Sequence, residues 1–132
     1  MDAALTELVR QRAGNRCEYS RLPQAHSALR FHIEHIVPRQ HGGGDTPENL
    51  ALACPECNRR KGTNLTGIDP ESRRVLRLFH PRQDRWSDHF QTLAPRILPR
   101  TDIGRTTEWL LALNSDARLR WRTLLHRLRE WP

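Results

Sequence analysis

Apolar residues at helical spacing predict a helix at each end of the chain. Leu5, Leu8 and Val9 fall on one face of a predicted helix over residues 2–13. The clearest periodicity runs over residues 116–131, and we expect its apolar stripe to face the core behind a solvated rim of arginines. The stripe consists of Ala117, Trp121, Leu124, Leu125, Leu128 and Trp131.

Two strands and a further helix are predicted between these ends. Residues 31–37 alternate loosely in polarity, as a strand does, and the short apolar run over residues 50–53 is typical of a buried strand. Three consecutive glycines at 42–44 require a loop between the two strands, because glycine holds regular structure poorly. A proline suited to a first helical turn and a terminating glycine then predict a helix from Pro55 to Gly62.

The second half of the chain carries weaker patterns. We expect a strand over residues 75–79 and a helix over residues 107–113, with prolines keeping residues 80–100 irregular or in short edge strands. A chain of 132 residues has the size of one domain, so a single domain over residues 1–132 is predicted.

Several features bear on location. No run of 18 apolar residues occurs, so we expect no membrane span. The first residues lack the basic start of a secretory signal, and three cysteines cannot pair evenly into disulfides. A reducing, cytoplasmic location is therefore expected.

The charge balance favours a polyanionic partner. Lys and Arg number 22 against 15 Asp and Glu, a formal net charge of +7, and every basic residue except Lys61 is an arginine. The planar guanidinium matches phosphate geometry. The alternative is that these arginines only solvate the surface of an interaction domain.

Candidate chemistry is concentrated after the first predicted strand. Glu34 and His35 come at its end, where chain twist allows both side chains to meet one substrate. Histidine can act as a general base, and a carboxylate can hold Mg²⁺ against a phosphate, with Asn58 as a neutral oxygen ligand for the same ion. Cys54 and Cys57 have the spacing of a metal clip.

Taken in order, these pieces resemble the HNH (ββα-metal) endonuclease family, in particular bacterial members and the His-Asn-Asn variants. The resemblance implies an α+β fold, with a ββα-metal centre at about residues 30–62, an N-terminal helix and a C-terminal helical extension over about residues 70–132. The matching pattern is Glu34-His35-Ile36-Val37-Pro38, a Gly-Gly loop, Asn49-Leu50, and Cys54-x-x-Cys57-Asn58-x-x-Lys61-Gly62.

The resemblance also implies a role for each matching residue. His35 would deprotonate the water that attacks a phosphodiester, while Asn49 would brace the loop and orient the His35 ring. Glu34, in place of the usual Asp, and Asn58 would ligate one divalent ion, Mg²⁺ or Mn²⁺. Independently of the resemblance, we expect Arg39, Arg59, Arg60 and Lys61 to bind nucleic-acid phosphates, because the last three lie within one helical turn of Asn58.

A second metal site departs from the family pattern. Members often carry two Cys-x-x-Cys pairs that bind a structural Zn²⁺, but here Cys17 is followed by Ser20 rather than by a second cysteine. Hydroxyl is a poor zinc ligand, so the tetrahedral site is one ligand short. The fourth position would be taken by Ser20, by His26 or by water, or the cysteines would hold no zinc.

The predicted function is metal-dependent endonuclease cleavage of DNA phosphodiester bonds, a hydrolase activity, with RNA open as a second substrate and the oligomeric state undetermined. The alternative is a nucleic-acid-binding module that keeps the HNH fold with weak or lost catalysis. The Glu34 substitution and the incomplete cysteine set favour that alternative.

Overall fold

The computed structural model, which describes all 132 residues, contains five helices and three two-stranded antiparallel sheets. This mixture confirms the predicted α+β class. The helices are α1 (Ala3–Arg12), α2 (Pro55–Lys61), α3 (Trp86–His89), α4 (Asp102–Leu111) and α5 (Asp116–Arg127). The strands are β1 (His32–His35), β2 (Leu50–Ala53), β3 (Thr66–Ile68), β4 (Val75–Arg77), β5 (Phe90–Leu93) and β6 (Arg96–Pro99).

Contacts within the chain divide it into two compact units. One comprises residues 1–63 and 80–83, and the other comprises residues 64–79 and 84–132. The single domain expected over residues 1–132 stays a prediction. No helix has the length and apolar character needed to cross a lipid bilayer.

In the first unit, β1 and β2 form an antiparallel hairpin that leads directly into α2. His35, the last residue of β1, lies opposite Leu50, the first residue of β2. Pro55 opens α2, where no amide partner is needed, and the amide of Gly62 closes the helix on the carbonyl of Asn58. This strand–strand–helix order is the predicted ββα arrangement.

Helix α1 is held against the hairpin by two arginines. Arg10 donates to the carbonyl of Phe31 at 3.0 Å, and Arg12 donates to the carbonyl of Leu50 at 2.8 Å. Val9, which precedes both in the same helix, is fully buried. The last turns of α1 therefore support the strand ends on which His35 and its neighbours lie.

The second unit is built on α4 and the two remaining hairpins. The Thr101 hydroxyl caps α4 by accepting from the amide of Gly104, and Thr107 on the helix accepts from the amide of Phe79. Helix α4 contacts β3, β4 and β6. The buried apolar side chains of this unit are Leu78, Phe79, Phe90, Ile97, Leu111, Leu113, Leu125 and Trp131.

Several predicted elements of the second unit are corrected by the structure. Helix α4 begins at Asp102 rather than at residue 107, because Thr101 supplies an N-cap. The strand predicted over residues 75–79 is limited to β4 and pairs with the unpredicted β3. Within residues 80–100, where irregular chain or short edge strands are expected, the short strands β5 and β6 pair as a hairpin.

The predicted apolar stripe of α5 is buried only in part, at Leu125 and Trp131. Trp121, Leu124 and Leu128 are exposed, whereas Arg122 is only 2% exposed. The Arg122 guanidinium donates to the carbonyls of Pro95 and Leu113 and to the Asn114 side chain, and it lies over the Trp131 ring. These bonds compensate for the burial of the Arg122 charge, so the face of α5 that carries Arg122 turns toward the interior.

Leu8 of α1 also departs from its prediction. It was expected on the buried face of that helix, but it is 45% exposed. Only the narrower face around Val9 packs against the hairpin.

Candidate active site

His35 lines an open pocket in the first unit. The pocket has a volume of about 510 Å³. Predicted site residues Glu34, Arg39 and Asn58 also line it, so the turn after β1 and the helix α2 both contribute. Its other lining residues are His32, Ile33, Pro38, Gln40, Gly62 and Thr63.

The His35 ring is held by a carboxylate that the sequence patterns did not single out. His35 Nε2 lies 2.6 Å from Asp45 Oδ1, and Arg39 donates to that same oxygen at 2.7 Å. The hydrogen bonds from His35 and Arg39 hold the pKa of the Asp45 carboxyl below its usual range. An acid directly after the glycine loop is the only sequence signal that pointed to it.

Asn49 braces the loop that carries Asp45. Its side-chain oxygen accepts from the amide of Val37 at 2.9 Å, and its side-chain nitrogen donates to the carbonyls of Val37 and Gly44 at 2.9 and 3.0 Å. Asn49 is not among the residues that line the pocket. It therefore connects the end of β1 to the loop from behind the site.

Gly43 permits the close approach of that loop to the strand end. A Cβ atom at this position would lie 1.6 Å from the carbonyl oxygen of Val37 and 2.7 Å from the Asn49 side-chain nitrogen. The neighbouring Gly44 has open space around the same position. The two glycines therefore differ. A side chain at position 43 would overlap neighbouring atoms, whereas one at position 44 would not.

Glu34 is part of a buried polar network. Its Oε1 accepts from the Tyr19 hydroxyl, and its Oε2 lies 3.6 Å from Lys61 Nζ. Burial raises the pKa of the Glu34 carboxyl, and the Lys61 ammonium opposes that shift. Burial and the adjacent Glu34 raise the pKa of the Tyr19 hydroxyl, which therefore stays protonated as a donor.

Lys61 extends this network to the main chain of β1. Its ammonium donates to the carbonyl of Ile36 at 2.9 Å and to that of His35 at 3.4 Å, and the side chain is only 2% exposed. Lys61 therefore faces the interior, because a buried ammonium must satisfy its donors within the protein. Its role in binding nucleic-acid phosphate stays a prediction.

The two residues predicted to hold a catalytic divalent ion, Glu34 and Asn58, line the same pocket. Asn58 lines the pocket, but both carboxylate oxygens of Glu34 have interior partners and its side chain is 4% exposed. A hard cation needs several oxygen ligands. Glu34 would have to give up one of its interior contacts to hold an ion, and the assignment of Glu34 and Asn58 as its ligands stays a prediction.

The other predicted phosphate-binding residues lie on the surface. The side chains of Arg39 and Arg59 are each 67% exposed and that of Arg60 is 36% exposed. Glu56 pairs with both Arg59 and Arg60 on α2, whereas Arg39 is next to the His35 pocket. Of the four basic residues, Arg39 is the one best placed to meet a phosphate at His35.

Three cysteines form a buried cluster behind the hairpin. The sulfur atoms of Cys17, Cys54 and Cys57 lie within 4.8 Å of one another, and all three residues are fully buried. A zinc ion with Zn–S bonds of about 2.3 Å would place its sulfur ligands about 3.8 Å apart. The cluster can therefore hold a metal ion such as zinc. Burial raises the pKa of the Cys17 thiol.

Ser20 lies next to this cluster. Its hydroxyl oxygen lies 3.8 Å from the sulfur of Cys54, and its amide donates to the sulfur of Cys17. His26 is not a member of the group of potential ligands. Of these two residues, Ser20 is the one that contacts the cluster, and the identity of a fourth zinc ligand stays a prediction.

Comparison with known proteins agrees with this geometry. Residues 16–64 match the family model described as HNH endonuclease. The chain contains an HNH domain. The match includes β1, β2, α2, the cysteine cluster and Asp45, although it covers less than half of the chain. Neither a curated protein nor a solved structure matches the chain.

The presence of an HNH domain indicates a nuclease or nucleic-acid-binding function. Within that domain, His35, Arg39 and Asn58 meet at one pocket, and Asn49 supports it from behind. The structure adds Asp45 to this group.

Substitution of Gly43 tests the loop contact. We expect Gly43→Ala to lower the free energy of unfolding by about 1–3 kcal/mol, because the new methyl group overlaps the Val37 carbonyl. Gly44→Ala is the matched control and should change it by less than about 0.5 kcal/mol. Urea unfolding measures both. An equal change in the free energy of unfolding for the two substitutions would show that the loop does not need glycine at position 43.

Completion of the cysteine cluster tests the role of Ser20. We expect Ser20→Cys to bind Zn²⁺ more tightly and to unfold at a higher temperature with zinc present, because it supplies a fourth thiolate. A hundredfold excess of zinc over Kd adds about 2.7 kcal/mol. Ser87→Cys adds an exposed thiol elsewhere and is the control. Equally tight zinc binding by the unsubstituted protein would contradict the prediction that the site is one ligand short.

Proposed function

We propose that the HNH domain hydrolyses phosphodiester bonds of DNA with His35 as the general base. The observation that carries this proposal is the position of His35, which lines an open pocket with the exposed Arg39 beside it. A base must reach water and the reacting phosphate together, and a cation next to it favours phosphate binding.

The ring of His35 is suited to this role. Its side chain is 21% exposed, so the ring is partly open to solvent while Nε2 is fixed by Asp45. The site resembles that of the family's His-Asn-Asn variants, with Asn49 as the loop brace and Asn58 at the pocket wall. HNH domains bind a metal, and Mg²⁺ or Mn²⁺ would supply charge stabilisation to the transition-state phosphate.

The net charge supports DNA as the partner. A formal charge of +7, almost entirely from arginine, attracts a polyanion, and Arg59 adds a second exposed guanidinium on α2. We expect DNA affinity to fall steeply as salt rises, which an arginine-coated interaction domain without phosphate contacts would not show.

A second candidate function is DNA binding without turnover. The interior contacts of Glu34 favour this second function, because the carboxylate expected to hold the catalytic ion already contacts Tyr19 and Lys61. The two functions differ in cleavage and not in affinity.

Cleavage of supercoiled plasmid separates them. With Mg²⁺ or Mn²⁺ we expect nicking that EDTA abolishes. His35→Ala should lower the cleavage rate by about 10²–10⁴-fold, because it removes the general base, and should leave DNA affinity within about twofold. The matched control is His41→Ala, an exposed histidine that does not line the pocket.

Two outcomes would contradict the nuclease proposal. Undiminished cleavage by purified His35→Ala would show that another group is the base. Salt-sensitive DNA binding by the unsubstituted protein, with no cleavage at any metal concentration, would instead establish the binding module.

A further inference from the structure

One oxygen of Asp45 receives two contacts, and their chemistry determines which ring nitrogen of His35 carries a proton. Arg39 is a donor only, so the Oδ1 atom that it contacts acts as an acceptor. The same atom is 2.6 Å from His35 Nε2. An acceptor oxygen at that distance requires a proton on Nε2, because two acceptors would repel each other.

We propose that Asp45 is the positioning residue that holds His35 in the tautomer protonated on Nε2, so that Nδ1 is the basic nitrogen of the site. The proposal rests on the proposed function of His35. In a neutral imidazole one nitrogen donates and the other accepts, so fixing the proton on Nε2 leaves the lone pair on Nδ1. No protein group forms a hydrogen bond with Nδ1.

The loop around Asp45 is built to hold this contact. The Asn49 side chain binds the carbonyl of Gly44, and the Asn49 amide binds the carbonyl of Thr46, so the residues on both sides of Asp45 are tied to one brace. The close approach of Gly43 to Val37 fixes the same loop against the end of β1.

No other carboxylate has this position. Glu34, adjacent in sequence to His35, is bonded to Tyr19 and Lys61 in the interior. The acid that meets the base therefore comes from the loop ten residues further along the chain, not from the strand.

The tautomer of His35 can be determined without measuring DNA cleavage. In ¹⁵N-labelled protein, at a pH where the ring is neutral, long-range ¹H–¹⁵N spectra should show His35 protonated on Nε2. Asp45→Asn places an amide donor next to that nitrogen, so the fraction protonated on Nε2 should fall. Arg39→Gln leaves the Asp45 acceptor in place and should keep the wild-type tautomer.

Cleavage kinetics form the second arm. We expect Asp45→Asn to lower kcat by about 10²-fold or more with KM within about twofold, because the wrong tautomer leaves no lone pair on Nδ1. Asp45→Glu keeps an acceptor and should recover part of kcat. Glu48→Gln removes an exposed negative charge from the same segment and should leave cleavage unchanged.

The outcomes distinguish this inference from the proposed function. If the protein cleaves DNA and His35→Ala does not, but Asp45→Asn keeps both kcat and the Nε2–H tautomer, the inference is overturned and the nuclease proposal stands. If the protein cleaves nothing, the proposed function fails, and the tautomer spectra still support or overturn the contact between Asp45 and His35.

Discussion

The first unit depends on a buried ion pair, Glu34 with Lys61. Lys61 ends α2, and its ammonium donates to the carbonyls of His35 and Ile36 at the end of β1. Glu34 supplies the opposing charge from within the same strand, and Tyr19 completes its hydrogen bonds. A buried charge without its partner is costly, so helix, strand and partner must form together. The backbone at His35 is thereby fixed by interactions beneath the pocket.

This constraint separates the two carboxylates of the site. Glu34 supports the main chain from inside, whereas Asp45 contacts the His35 ring from the loop. The cysteine cluster adjoins the same network, because Tyr19 lies between Cys17 and Ser20 in the chain and the Cys17 and Cys57 thiols help to raise the pKa of its hydroxyl. A metal ion in that cluster would therefore stabilise the segment that donates to Glu34. The pocket therefore presents the His35 ring, which Asp45 holds, and the exposed Arg39. The interactions that stabilise this part of the unit lie beneath the pocket, at Glu34 and Lys61.

Local sequence patterns predicted most of the secondary structure of the first unit, but few of the directions in which its side chains point. The glycine loop, the buried β2 and the proline that opens α2 are local signals, and the structure contains all three elements. Asp45 was missed because only the folded loop returns it to His35. The inward direction of Lys61 was not predicted, because a lysine at the end of a helix normally faces water. In α5, part of the periodic stripe is exposed because Arg122 lies inward and bonds to carbonyls outside the helix. Long-range partners decide such cases, and hydrophobic periodicity does not report them.

The most direct test of the account is a double-mutant cycle on Glu34 and Lys61. Urea unfolding of Lys61→Met, Glu34→Gln and the double variant measures their coupling, with Arg60→Met as the exposed control on the same helix. We predict that Lys61→Met costs about 3–5 kcal/mol, because it leaves a buried carboxylate unpaired, and that the double variant costs clearly less than the sum of the two single changes. Additive effects, or a loss for Lys61→Met no larger than that for Arg60→Met, would contradict the claim that this pair holds the His35 strand in place.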